Sequence, residues 1–222
     1  DGHTDRVAVA FFETMSGFTT TGATAFSDVD ALPHSILFWR SLTHWIGGMG
    51  IIFFTLAVLP AMGIGEQKLF SAEATGLKMG KLHPRISTTA HWLWSVYFLI
   101  TGSCILTYYL CGMSLFDAVN HGFATIATGG FSTHTESVAY FHSPAIEYAT
   151  TFFMFLASTN FTLLYLFIIK RRFRQVLKDE ELRLFFAIIT LAVVIITITK
   201  WIEADTISEQ SFRNSLFNAM SL

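Results

Sequence analysis

Apolar residues fill four blocks of this chain, at 35–59, 91–111, 144–169 and 182–199. Each is long enough to cross a hydrocarbon core of about 30 Å as a helix. The pattern therefore predicts four membrane-spanning helices. The first stops at Pro60 and the glycines beyond it, the second at Cys111-Gly112, and the third at Lys170-Arg171-Arg172. Residues of these kinds end helices. Three shorter apolar-periodic stretches accompany the spans, at 6–17, at 115–126 and from Ser211 onward. A helix of about 12 residues rises only about 18 Å, so none of the three can span.

Polar positions orient the blocks. Lys68, Lys78, Lys81 and Arg85 lie in one link, and Lys170, Arg171, Arg172, Arg174, Lys178 and Arg183 lie in another, so ten of the 14 basic residues fall on one side. That side is expected to be cytoplasmic. The opposite links hold Asp28, Asp30, Glu136, Glu203, Asp205 and Glu209, with Lys200 and Arg213. All three short stretches attach there, so each enters and leaves the bilayer on the outer side. Backbone that does so without crossing must be buried in protein or line water, because lipid leaves its polar groups unpaired. Composition agrees with the pattern: 52% of the 222 residues are hydrophobic and 14% charged. The mean hydropathy of +0.51 is too high for an ordinary soluble domain. The net charge of -2 adds nothing, since it hides the sorting between faces. Cys104 and Cys111 are about 10 Å apart along one helix, too far to bridge, and are expected as free thiols. No signal-peptide pattern opens the chain. Both ends fall beside or within amphipathic stretches, as they would in a segment of a longer polypeptide.

The short stretches recur with a common sequel. Placing Gly22 over Gly129 aligns Thr20-Thr21-Gly22-Ala23 with Ala127-Thr128-Gly129-Gly130. Each tetrapeptide follows a short helix and precedes a loop and a long span. The stub Leu216-Phe217-Asn218-Ala219-Met220-Ser221 echoes the two earlier short helices. The unit is span, short helix, Thr/Gly strand, span, repeating about every hundred residues; such repeats place a transport path at their interface. An extended Thr/Gly backbone at the tip of a re-entrant loop presents carbonyl oxygens, hard neutral ligands that can replace the water shell of an alkali cation. The short helix before it turns its partial negative end toward the same place. One isolated TTTGAT reads more readily as a connector, and the second copy reverses that judgement. The candidate ion-facing residues are Thr20, Thr21, Gly22, Ala23, Ala127, Thr128, Gly129 and Gly130. Potassium, as substrate, is expected at Thr21, Gly22, Thr128 and Gly129.

The wording of the motifs is more specific than their pattern. Phe18-Thr19-Thr20-Thr21-Gly22-Ala23-Thr24, Leu32-Pro33-His34-Ser35-Ile36-Leu37-Phe38-Trp39-Arg40 and His44-Trp45-Ile46-Gly47-Gly48-Met49-Gly50 closely resemble potassium-uptake subunits of the Trk/Ktr/HKT superfamily, nearest to its bacterial TrkH branch. Thr128-Gly129-Gly130-Phe131-Ser132-Thr133 is similar to the second filter loop of that family, and Lys81-Leu82-His83-Pro84-Arg85-Ile86 to its first cytoplasmic link. The resemblance implies an all-α membrane protein of repeated helix–pore-loop–helix units, the potassium-channel-like transporter fold, with four pseudo-repeats around one pathway. It implies one filter glycine per repeat, matched here by Gly22 and Gly129. It also implies a homodimer in the bacterial inner membrane and a cytoplasmic nucleotide-binding regulatory subunit of TrkA type, with no nucleic acid as partner. On that scheme 1–62 holds the pore loop and second span of repeat one, 63–90 a cytoplasmic link, and 91–170 a complete repeat two. A second link follows at 171–181, then the first span and start of the pore loop of repeat three at 182–222. The gating segment and the positive residue that the family places in repeats three and four lie beyond Leu222.

Other polar residues carry two readings each. Arg40 stands about a turn and a half into the first span and is expected to anchor at the outer interface or on a loop carbonyl. His44 follows four residues later on the same face, sharing a polar seam, with no further ligands on that helix to make a metal site. Glu13 lies mid-helix within reach of Gly22, where it attracts cations or caps loop amides; Asn120 takes its place in the second copy, against an essential charge there. Asp117, near a helix start, reads as a cap. Gly47-Gly48-Met49-Gly50 reads as close helix packing rather than a hinge. The basic cluster 170–178 suits a regulatory partner or anionic lipid, although topology alone accounts for it. Sodium or mixed monovalent transport is the alternative function, with glycine at Gly22 favouring potassium. An intramembrane enzyme built on His44, His91 or His121 with Glu13 or Glu147 is the remote one. The sequence holds no HExxH, GxSxG or phosphate-loop motif. A purely structural segment completed by a partner chain is the third.

Overall fold

The structure, a computed structural model, describes residues 2–61, 86–204 and 209–221. Its regular elements are all helical: α1 (Gly2–Phe18), α2 (His34–Ala61), α3 (Ile86–Leu110), α4 (Leu115–Ile126), a 3-10 turn (Ser137–Phe141), α5 (Pro144–Ser158), α6 (Phe161–Ile168), α7 (Phe173–Leu177), α8 (Glu180–Ala204) and α9 (Glu209–Ser221). Three of the expected spans appear as single long helices, α2, α3 and α8. The three short stretches are α1, α4 and α9.

The third expected span is two helices. The run 144–169 breaks after Ser158, where Thr159 is extended at φ -79, ψ 141. The Thr159 hydroxyl turns back to the Phe155 carbonyl at 2.8 Å, and the Asn160 carbonyl accepts from the Leu163 and Leu164 amides to start α6. Ser, Thr and Asn offer the backbone local partners that compete with helix continuation. Hydropathy is blind to such a break because the residues on either side stay apolar.

The core gathers mainly on α3, α4, α5 and α6. Val96, Tyr97, Ile100, Cys104 and Tyr108 give α3 a buried stripe at helical spacing. Ile146, Phe153 and Ala157 of α5 and the 163–166 segment of α6 pack on it, with Ala118 and Ile126 of α4. Cys104 is buried and Cys111 half-buried, both free thiols. Where lipid surrounds helices, apolar burial separates packed from unpacked states only weakly, so close packing and interhelical hydrogen bonds carry more of the energy, about 0.6–2 kcal/mol per bond. Three such bonds fix α3. The Tyr97 hydroxyl donates to the Trp45 carbonyl of α2 (3.1 Å), Trp45 Nε1 donates to Thr101 Oγ1 (3.2 Å), and the Tyr108 and Thr125 hydroxyls meet at 2.9 Å.

Much apolar surface stays uncovered. Leu184, Phe186, Ile188, Leu191, Val194, Ile195 and Ile198 of α8 are all exposed, as are Phe98, Leu99, Leu106 and Leu110 of α3. Segments Trp92–Leu110 and Glu180–Thr199 are long and apolar enough to cross a bilayer. Surface of this kind belongs against lipid or further helices, not water.

Candidate functional site

Each short helix ends in a turn of the same construction. At the end of α1 the amides of Thr19, Thr20 and Thr21 donate to the carbonyls of Met15, Gly17 and Ser16. At the end of α4 the amides of Ala127, Thr128 and Gly129 donate to Phe123, Thr125 and Ala124. The reach is four, three and then five residues back in both. Thr20 and Thr128 sit in the left-handed region at φ 54 and 53, and two residues on Gly22 and Gly130 do so at φ 75 and 92. The copies are therefore related by 108 positions. Thr20 matches Thr128, Thr21 matches Gly129, and Gly22 matches Gly130. The expected pairing of Gly22 with Gly129 is one residue off: it follows the shared Thr-Gly dipeptide, whereas the hydrogen bonds that close the helix end set the true count.

That shift changes another assignment. Glu13 Oε1 accepts from the Thr24 hydroxyl (2.7 Å) and the Ala25 amide (2.6 Å), capping loop groups beyond the first turn. The residue 108 positions on is His121, not Asn120. His121 Nε2 faces the Ser132 and Thr133 hydroxyls at 3.4 and 3.3 Å, and Ser132 and Thr133 are the counterparts of Thr24 and Ala25. Asn120 instead donates to the Phe116 carbonyl one turn back, at 2.7 Å. The cap of α4 is Ser114, whose Oγ accepts from the Asp117 amide at 3.1 Å; Asp117, expected as the cap, stands in the first turn. Its carboxylate also accepts from Ser114 Oγ and, at 2.7 Å, from Thr133 Oγ1 in the second loop. Ala23, expected among the ion-facing carbonyls, directs its oxygen to the buried Ser16 hydroxyl of α1 at 2.6 Å.

The two turns meet. A Cβ built on Gly22 would run into the Gly129 carbonyl oxygen. Behind them stands one helix, α2, whose inward face follows the i, i+3, i+4, i+7, i+8 pattern at Arg40, Thr43, His44, Gly47 and Gly48. A Cβ on Gly47 would strike the Phe18 carbonyl oxygen at the end of α1, and one on Gly48 would come to 3.0 Å from Ala127 Cβ at the end of α4. Among the described residues nothing lies within 4 Å of the Cβ position at Gly50. Gly47 and Gly48 thus let α2 close onto both turns. His44, fully buried, fills the space where a Cβ on Gly129 would be and stacks on Phe131, with centroids 4.0 Å apart and planes at 13°.

Arg40 does not reach for the outer interface. It is buried, with Nε donating to Glu13 Oε2 at 3.0 Å, and its guanidinium carbon lies 4.1 Å from the Phe131 ring centroid. Its sequence gave no hint of this partner, which stands 27 positions earlier on another helix. A desolvated cation over an aromatic face is stabilised by about 2 kcal/mol. Phe131, which carries both contacts, was absent from the candidates; its place immediately after Gly129-Gly130 was the available signal.

Outside the turns the loops are tied as well. Asp30 Oδ1 meets His134 Nδ1 at 2.8 Å, Oδ2 accepts from the Thr135 amide at 3.0 Å, and the Val29 amide donates to Thr135 Oγ1 at 3.0 Å. Bonds from Thr135, then from His134, hold the Asp30 carboxyl down at about 2. Residues 62–85, which carry the four basic residues of the expected link 63–90, lie outside the described residues; 86–90 already belong to α3.

The family profile of the cation transport protein TrkH matches residues 2–211. The chain belongs to the TrkH family. This TrkH-family chain is 45% identical over 193 residues to the Trk system potassium uptake protein TrkH of Escherichia coli K12, covering 86% of the chain and 40% of that protein. It is 46% identical over 189 residues to the E. coli K12 Trk system potassium uptake protein TrkG, covering 85% and 39%. With TrkH of Halomonas elongata it is 39% identical over 214 residues, covering 96% and 44%. The chain thus spans about two fifths of the length of these curated relatives. The crystal structure of the potassium transporter TrkH from Vibrio parahaemolyticus superposes with a TM-score of 0.79 at 38% identity, over 97% of this chain and 43% of that one. The fold is accordingly the potassium-channel-like transporter fold, with helix, pore helix and helix in each repeat.

Proposed function

We propose that the full-length protein takes up potassium across the bacterial inner membrane, through a filter to which this chain contributes two of four loops. The observation that carries the proposal is the meeting of two identically built turns, each behind the C-terminal end of a short helix, with Gly22 against the Gly129 carbonyl. A helix C-terminus carries about half a negative charge, which favours a cation beside it. Backbone oxygens at Thr20, Thr21 and Gly22, and at Thr128, Gly129 and Gly130, are the proposed substitutes for the ion's water shell. The names of the curated relatives, Trk system potassium uptake proteins, support potassium as the ion.

The same reading assigns 1–62, 91–170 and 182–222 to repeats one, two and three, and 63–90 and 171–181 to cytoplasmic links. A homodimer and a cytoplasmic nucleotide-binding subunit of TrkA type are its proposed partners. The activity proposed is transport, not catalysis. Expressed in a bacterium stripped of its potassium-uptake systems, the full-length protein should restore growth at limiting potassium. Unchanged growth despite good membrane expression would contradict the proposal.

A further inference from the structure

Arg40 is linked to both loops by different chemistry, to the first through Glu13 and to the second over Phe131. Toward repeat one it bonds through Nε to Glu13, whose other carboxylate oxygen holds Thr24 and Ala25, two and three positions past Gly22. Toward repeat two it lies over Phe131, the residue just past Gly130, with Phe26 of the first loop 5.7 Å away. Its Nη1 has no hydrogen-bond partner among the described residues. The aromatic face therefore takes up charge that Glu13 leaves unbalanced, and that attraction draws the second loop to the first. His44 stacks on Phe131 from the same helix but makes no hydrogen bond to Glu13 among the described residues, so it does not duplicate this link.

We propose that Arg40 is a positioning residue for ion selectivity: its paired contacts to Glu13 and Phe131 set the separation of the two Thr/Gly turns, and so the size of the site the ion enters. The inference rests on the filter reading above. A site of carbonyl dipoles distinguishes alkali ions by its size and by the number and field of its oxygens, both of which follow from that separation.

The test uses the full-length protein in cells lacking other potassium uptake, and reads the ratio of potassium to sodium uptake alongside total uptake per protein in the membrane. Arg40→Met removes the link, Phe131→Leu cuts only its second arm, Arg40→Lys restores the charge, and Trp39→Phe changes an exposed residue one position away. Arg40→Met and Phe131→Leu should each lower the ratio about tenfold, equivalent to ~1.4 kcal/mol of differential binding. The double variant should fall no further than the worse single one, since both break the same link. Arg40→Lys should recover most of the ratio, and Trp39→Phe should leave it unchanged. If Arg40→Met fails to reach the membrane, Phe131→Leu decides. Variants that lose total uptake at a constant ratio overturn the inference while leaving the filter reading intact. An unsubstituted protein that takes up no potassium overturns both.

Discussion

Gly22 and Gly129 stand so close that a single methyl group on the first would collide with the carbonyl oxygen of the second. Two loops more than a hundred residues apart thereby share one small volume. α2 backs them both, with Gly47 at the end of one pore helix and Gly48 at the end of the other.

Substituting the two left-handed glycines should give unequal results. Gly22→Ala suffers twice, from φ 75 and from the Gly129 oxygen, whereas Gly130→Ala at φ 92 has nothing among the described residues within 4 Å of its new Cβ. The conformational penalty alone is about 1–2 kcal/mol. Gly22→Ala, and Gly22→Ser likewise, should therefore weaken potassium uptake and discrimination against sodium more than Gly130→Ala does. Equal effects in an uptake assay would show that the collision is absent.

The buried pair gives a thermodynamic signature. Glu13→Gln leaves the Arg40 charge uncompensated in a buried place, and breaking such a pair costs about 3–5 kcal/mol. The double variant Glu13→Gln/Arg40→Met removes both charges and should be less destabilised than Glu13→Gln alone. Thermal unfolding of the purified full-length variants checks the order, and additive losses would mean the two residues do not act on each other.

Acid should release the outer tie only at an extreme. The Asp30 carboxyl lies well below its ordinary value, at about 2. Its stabilising bonds are thus fully present above the unfolded value and are lost as pH falls through the folded one. Amide exchange at Thr135, corrected for intrinsic rate, should stay protected from about pH 8 to about pH 5, and Asp30→Asn should lose that protection at about pH 7. Loss of protection in the unsubstituted protein near neutrality would contradict the assignment.

Labelling tests the proposed orientation. A cysteine at Ser27 should react with a membrane-impermeant reagent added outside, and one at Lys81 should not. The reverse pattern would invert the topology.

The length and apolarity of α2, α3 and α8 made them legible in sequence, because a bilayer imposes a length that hydropathy reads directly. Short helices before Thr/Gly turns were legible because a 12-residue stretch cannot span. The break at Thr159 was hidden, since three polar residues, Ser158, Thr159 and Asn160, lower the average of a long apolar run only slightly. Identity at Thr-Gly points to an offset of 107, whereas the turn bonds and the left-handed φ shared by Thr20 with Thr128 and Gly22 with Gly130 reveal 108. From that one slip followed Asn120 in place of His121. The pairing of Arg40 is invisible in the sequence because Glu13 sits on a different helix, and nothing in a linear pattern pairs residues 27 apart. The role of Phe131 is hidden for a related reason: it exists only once α2 lies against the second loop.

The most direct measurement is the anomalous signal of rubidium, a heavier stand-in for potassium, in crystals of the full-length protein. A peak is expected between the backbone oxygens of Thr20, Thr21 and Gly22 and those of Thr128, Gly129 and Gly130. Density confined to other parts of the molecule, with this space empty of ions at saturating rubidium, would contradict the account.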